Sequence, residues 1–202
     1  KGLTIELHPE VYEPAEDTFL LLDSIDIDPN DSVFEIGTGC GIIALDCARI
    51  GANVICSDIN KKAIELVKRN YEKNKIKIKG KLEVRHGDLF DVVHSNEKFD
   101  NIIFNPPYLP IKNEEKLGVS NWLDIATNGG EDGLVFIKRF IEGLKVHLKK
   151  KGKAYFIFSS LTDRYFIEQI LKKDGFNFKI KNSLRFIDET IDSQLKAYGL
   201  LR

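Results

Sequence analysis

The chain has 202 residues, 43% of them hydrophobic, with 30 basic and 31 acidic side chains and a net charge of −1. That is enough for one α/β domain with a full core, and the balanced charge argues against a protein that grips long duplex nucleic acid through its phosphates. No apolar run approaches the ~20 residues of a membrane span, no signal sequence is visible, and Cys40, Cys47 and Cys56 form no C-x-x-C pair, which fits reduced thiols in the cytoplasm.

Taken in order, residues 14–25 read as a short helix opened by Pro14, with Phe19, Leu20, Leu22 and Ile25 apolar. Val33 to Ile36 reads as a buried strand, Gly37-Thr38-Gly39-Cys40-Gly41 as a turn, and Ile42 to Arg49 as a helix. Asn53 to Ser57 is the next strand, with Asp58 at its end. Residues 60–74 form a helix with Ala63, Ile64, Val67 and Tyr71 on one face. Its tail runs into Lys73, Lys75, Lys77, Lys79 and Lys81, a solvated charge run. Leu82 to His86 is a strand leading into Gly87-Asp88-Leu89, and Phe99 to Phe104 is a strand leading into Asn105-Pro106-Pro107-Tyr108.

From Leu109 to Asp132 there is little periodicity. A loop that long inside a compact domain is usually functional, and this one, with the sole tryptophan Trp122, is expected to hang over the site. A helix over 134–148, a strand from Lys153 to Ser159 and a helix from Asp163 to Lys173 capped by Thr162 follow. Two strands, 177–186 and 194–201, close the chain, and their short connection requires antiparallel pairing. The alternation predicts a single domain over 1–202: a doubly wound, mainly parallel, seven-stranded α/β sheet with a C-terminal antiparallel hairpin.

Two motifs carry chemistry. The first is the strand, glycine turn and helix start around Glu35-x-Gly37-x-Gly39-x-Gly41, the arrangement that lets an adenosine-bearing ligand approach the backbone. Ile42 stands where a dinucleotide fingerprint needs its third glycine, which disfavours a nicotinamide cofactor and points to S-adenosylmethionine. Asp58, seventeen residues after Gly41, can accept both ribose hydroxyls, and Asp88 can accept from an adenine amine. Each has a structural alternative: Asp58 as a helix cap beside Asn60, Asp88 as a turn residue. Cys40 reads as a small filler, and His8, His86, His94 and His147 show no metal spacing, so no metal site is expected.

The second motif is Asn105-Pro106-Pro107-Tyr108. The two prolines fix their own φ and push the residue before each of them out of the helical region, so Asn105 is held extended at the strand end. Its Oδ1 and the Pro106 carbonyl can accept the two N–H groups of a planar amine, and Tyr108 offers a flat face. A conjugated nitrogen, in a carboxamide or in adenine, is a poor nucleophile and needs such alignment. The structural alternative is a rigid turn after a buried strand.

With these residues the chain resembles class I S-adenosylmethionine-dependent methyltransferases of the HemK type, which share Asn-Pro-Pro-Tyr with adenine-N6 methyltransferases. The segment Val11-Tyr12-Glu13-Pro14-Ala15-Glu16-Asp17-Thr18-Phe19-Leu20-Leu21-Leu22-Asp23 is similar to the stretch ahead of the first strand in archaeal and eukaryotic release-factor glutamine methyltransferases. The resemblance covers essentially the whole chain. It implies a Rossmann-like methyltransferase fold and N5-methylation of the glutamine in the Gly-Gly-Gln loop of a translation release factor. It further implies that Thr18, Glu35, Gly37, Gly39, Asp58, Asp88 and Leu89 contact the cofactor, that Asn105 contacts cofactor and substrate, and that Pro106 and Tyr108 serve the acceptor. Archaeal and eukaryotic members work with a small zinc-containing activator on the sheet, which places such a partner along residues 82–86. The rival readings are an adenine-N6 methyltransferase on DNA or RNA, a cofactor-binding structural partner without turnover, and an NAD-dependent oxidoreductase. The neutral charge and the lack of a base-reading domain count against the first. The intact Asn-Pro-Pro-Tyr counts against the second and the glycine spacing against the third.

Overall fold

The computed structural model describes residues 2–111, 121–187 and 192–201. Five strands run parallel: β1 (Ser32–Ile36), β2 (Asn53–Asp58), β3 (Lys81–His86), β4 (Phe99–Phe104) and β5 (Leu148–Ser159). β6 (Asn177–Ile187) and β7 (Asp192–Leu201) are antiparallel to each other, and β7 is antiparallel to β5. The order is β3-β2-β1-β4-β5-β7-β6, so the expected seven-stranded, mainly parallel sheet with an antiparallel C-terminal pair is present and β3 is an edge. The turn between β6 and β7 lies outside the described residues.

The central strands carry apolar residues on both faces, because both faces are covered. Successive side chains point to opposite faces. Phe34 and Ile36 of β1, Ile102 and Phe104 of β4, and Phe156 and Phe158 of β5 therefore enter one core layer, beneath α5 (Val135–His147) and α6 (Arg164–Lys173). Val33, Ile103, Tyr155 and Ile157 enter the other, with Leu20 and Leu21 of α1 (Glu16–Leu22) and Ala44, Cys47 and Ala48 of α2 (Ile42–Ile50). Phe34 is fully buried and stacks on Phe99 at 5.2 Å. Truncating such a ring to alanine typically costs about 3–5 kcal/mol.

The N-terminal segment is strapped across α3 (Lys61–Asn74) by two buried asparagines one turn apart. Asn70 exchanges amide hydrogen bonds with the backbone of Glu6, and Asn74 does so with Thr4. Asn70 also donates to the Cys40 carbonyl at 2.9 Å, and Asn60 donates to the Glu10 carbonyl at 2.7 Å. The strap is thereby tied to the glycine turn, and it delivers Tyr12 and α1 to the same end of the sheet.

Several local expectations are corrected. Pro14 lies outside α1, whose N-cap is Ala15, and the helix stops at Leu22. Thr162 does not cap α6: its hydroxyl donates back to the Ser159 carbonyl, while Asp163 accepts from the Phe166 N–H. β5 starts at Leu148 because that residue pairs with Phe99 before an irregularity, at which Lys151 adopts φ 68°, resets the register. The segment 109–132 contains a helix, α4 (Asn121–Thr127), with Trp122 in its first turn, and residues 112–120 lie outside the described residues. Among the described residues no helix is long and apolar enough to cross a membrane.

Candidate active site

In a doubly wound sheet, ligands sit where neighbouring strands send their connections to opposite faces. Here that point lies beside β1, flanked by β2 on one side and β4 on the other. At the carboxyl ends of these strands is a cavity of ≈ 510 Å³, and all ten sequence-predicted site residues line it: Thr18, Glu35, Gly37, Gly39, Asp58, Asp88, Leu89, Asn105, Pro106 and Tyr108.

The floor is the glycine turn. Gly37 and Gly39 have φ of 64° and 56°, a region where a side chain is strained. Gly41, at φ 85°, starts α2. Glu35 is buried beneath the turn, and its Oε2 accepts from Thr38 Oγ1 at 2.6 Å and from the Ala44 N–H at 3.0 Å. Burial pushes its carboxyl up to about 8, against the two hydrogen bonds that favour the charge and with a further push from Asp58. Burial also raises the Cys40 thiol to about 11, which suits a filler.

Asp58 closes one wall. Its Oδ2 accepts from the Gly39 N–H at 2.9 Å and its Oδ1 from the Asn60 N–H at 2.8 Å. Burial raises its pKa, and these N–H groups oppose the rise. Each oxygen keeps a lone pair for a further donor. The cap of α3 is Asn60 itself, whose Oδ1 accepts from the Lys62 N–H, so Asp58 supports the turn from outside the helix. Asp88 is engaged at Oδ2 by Arg139 at 2.7 Å, which sequence spacing did not suggest. Leu89 is buried with φ 42°, an uncommon conformation for a branched side chain and one that turns the backbone at the cavity wall.

The opposite wall is Asn105-Pro106-Pro107-Tyr108 together with Asp17, which the residue pattern did not single out. Asp17 is buried, and its Oδ2 accepts from Asn105 Nδ2 at 3.0 Å, Tyr108 Oη at 3.2 Å and Tyr12 Oη at 3.2 Å. Its Oδ1 takes the Thr18 N–H at 2.6 Å and Thr18 Oγ1 at 3.2 Å. Burial, and then the Asp17 charge, push both tyrosine hydroxyls far above their ordinary range, so they stay protonated donors. Asn105 Oδ1 is buried with no hydrogen-bond partner among the described residues. Trp122, Ile125 and Phe136 supply apolar surface around the cavity.

Comparisons with known proteins show the family. The family model for the methyltransferase small domain matches residues 12–174. The chain belongs to that family. A Methanocaldococcus jannaschii protein named as a candidate protein N5-glutamine methyltransferase is 42% identical over 186 residues, covering 92% of this chain and 89% of its own. A release factor glutamine methyltransferase of Streptococcus pneumoniae is 31% identical over 162 residues, covering 76% of this chain; the chain spans only 56% of that relative's length. Among solved structures, the E. cuniculi Mtq2–Trm112 complex, described as responsible for methylating the termination factor eRF1, has a TM-score of 0.71 at 21% identity, covering 96% of this chain and 99% of that one. At that identity the likeness supports the fold. The chain is a methyltransferase of the HemK type with a class I sheet.

Asp17, Tyr12 and Arg139 line the cavity without having been singled out by the motifs, whereas Trp122 lines it as expected for the loop that carries it. Asp17 and Tyr12 lie inside the segment 11–23 that carries the resemblance, which was the available signal. Arg139 carried none.

Proposed function

We propose that this protein methylates the side-chain amide nitrogen of a glutamine, in the Gly-Gly-Gln loop of a translation release factor, using S-adenosylmethionine. The observation that carries the reading is the buried, unpartnered Oδ1 of Asn105 at the cavity wall. It is an acceptor to which no described residue supplies an N–H. A carboxamide –NH2 satisfies it, and the Pro106 carbonyl takes the second N–H. The names of the archaeal and bacterial relatives support the same substrate.

The residues present fit the methyl donor. Asp58 retains lone pairs for two ribose hydroxyls. Asp88, with Oδ1 left beside its pair with Arg139, and the backbone of Leu89 suit an adenine edge. Thr18, Glu35, Gly37 and Gly39 surround the remaining space, where the Glu35 carboxyl and close backbone suit the amino-acid end. S-adenosylmethionine supplies a methyl group activated by a sulfonium. The protein's own contribution is orientation: Asn105 fixes the nitrogen, and Tyr108 packs beside it while its hydroxyl is held by Asp17. No side chain is needed as a strong base, because the amide proton becomes acidic on methylation and leaves to water.

A small zinc-containing activator is placed along β3. The strand is a sheet edge with free ladder positions. Leu82 and Val84 are half-buried beside Tyr71 in a shallow groove. The charge of Arg85 is engaged within the chain, in a two-point pair with Glu97 at 2.7 and 2.8 Å, and so does little to repel an added strand.

The test is labelled methyl transfer to a release factor, to its Gln→Ala and Gln→Glu versions, and to adenine-containing oligonucleotides, with and without the activator. Label is expected on the unaltered factor alone. Faster labelling of oligonucleotides would instead establish the nucleic-acid rival.

A further inference from the structure

We infer that Asp17 is a positioning residue that decides which way round the Asn105 amide stands, and so whether the site presents an acceptor or a donor to the incoming nitrogen. The inference rests on the substrate reading above. An asparagine amide has two nearly isosteric ends, and only its hydrogen-bond partners choose between them. An ionised carboxylate can only accept. With Asp17 Oδ2 3.0 Å from Asn105 Nδ2, turning the amide over would set oxygen against carboxylate. Asn105 Oδ1 is therefore held on the side away from Asp17, where it is buried and has no partner among the described residues. Tyr12 and Tyr108 donate to the same carboxylate oxygen, which keeps it in place.

The isosteric substitution Asp17→Asn then has a specific consequence. The Thr18 backbone N–H, 2.6 Å from Oδ1, cannot rotate away, so the amide oxygen introduced at position 17 must face it. The new –NH2 falls where Oδ2 stood. Both tyrosine hydroxyls can rotate to accept from it. Asn105 can relieve the donor–donor clash only by turning over, which sends its own –NH2 into the cavity. The site then offers a donor to a substrate donor. Adding Asn105→Asp to Asp17→Asn restores an acceptor on both sides of position 105. Asn105→Asp alone sets two carboxylates face to face and should not be productive.

The experiment measures kcat and KM for methyl transfer to the release factor, and methyl-donor affinity by calorimetry, in the three variants and the unmodified protein. Asp17→Asn is expected to lower kcat at least about 10²-fold, as for loss of one preorganised hydrogen-bonding group, while methyl-donor affinity changes less than about threefold and the thermal transition is retained. The double variant is expected to recover at least about tenfold over either single change, a coupling shown by groups in contact or in one hydrogen-bond network. A merely structural role for Asp17 predicts no such recovery. Asp17→Asn with near-normal kcat, or a double variant no better than the singles, overturns the inference. A second measurement needs no turnover. The Asn105 side-chain 15N–1H signals of the unmodified protein, identified by their loss in Asn105→Ala, should include one proton exchanging slowly because Asp17 holds it. Two freely exchanging protons would also overturn the inference. If the unmodified protein labels no release factor, the substrate reading fails, and the exchange measurement still decides the role of Asp17.

Discussion

Replacing Glu35 by glutamine should stabilise the protein, and by an amount that grows with pH. Burial moves the Glu35 carboxyl from its ordinary 4.5 up to about 8, while its Oε2 holds Thr38 Oγ1 and the Ala44 N–H. A glutamine oxygen can keep both hydrogen bonds, so the substitution removes the ionisable group and little else. The folded state binds the proton more tightly than the unfolded chain, so this group lowers stability as pH rises from about 4.5 to about 8. At about 1.4 kcal/mol per pH unit the full effect is on the order of 5 kcal/mol above pH 8. Near pH 7 the linkage gives on the order of 3 kcal/mol, and near pH 5 about 1 kcal/mol or less. For a chain of this size about 3 kcal/mol corresponds to roughly 6–12 °C in Tm. The assay is thermal or urea unfolding of both proteins, without methyl donor, between about pH 5 and 8.5. A stability difference that is constant across this range, or that shrinks as pH rises, would refute the account of Glu35 as a carboxyl kept neutral by burial.

The same carboxyl should couple to the ligand: a bound cation favours its ionised form, so S-adenosylmethionine affinity measured by calorimetry should rise with pH up to about 8, and the slope should vanish in Glu35→Gln. Asp58→Asn keeps one acceptor for the glycine turn but loses charge toward the ribose, and should weaken methyl-donor binding by about 2 kcal/mol; unchanged affinity would reduce Asp58 to a support for Gly39 and Asn60. Asn105→Ala should cost at least about 10²-fold in turnover with a much smaller change in methyl-donor affinity, and full activity in that variant would exclude Asn105 as the acceptor-binding group. Hydrogen exchange should show protection of residues 82–86 on adding the activator, with the isolated chain weakly active; protection confined to other strands would remove the partner from β3.

The seven strands and their alternation with helices were legible before any coordinates, because strands buried on both faces must read as nearly continuous apolar runs. Val33, Phe34 and Ile36 and the run Ile102 to Phe104 show this, with Glu35, Asp100 and Asn101 as the polar exceptions. The glycine turn, Asp58, Asp88 and Asn105 were legible for a related reason: each directly follows a strand, so chain order alone puts them at one end of a parallel sheet. Local boundaries were less so. Thr162 and Asp163 are both good caps by residue type, and only the direction of the final turn assigned the role to Asp163. Trp122 sits in a short helix that lies against the cavity instead of showing a strong apolar period.

What tertiary structure alone decided is the pairing of charges with the site. Asp17 and Asn105 are 88 positions apart, and no propensity or spacing links them; they meet because the N-terminal strap, held by Asn60, Asn70 and Asn74, brings α1 to the end of β4. Arg139 meets Asp88 only because α5 packs on the sheet face that leads there. Hydrophobic pattern is local and periodic, so a linear sequence carries it. The orientation of a buried amide depends on which acceptor a distant segment delivers, and that is set only when the chain has folded.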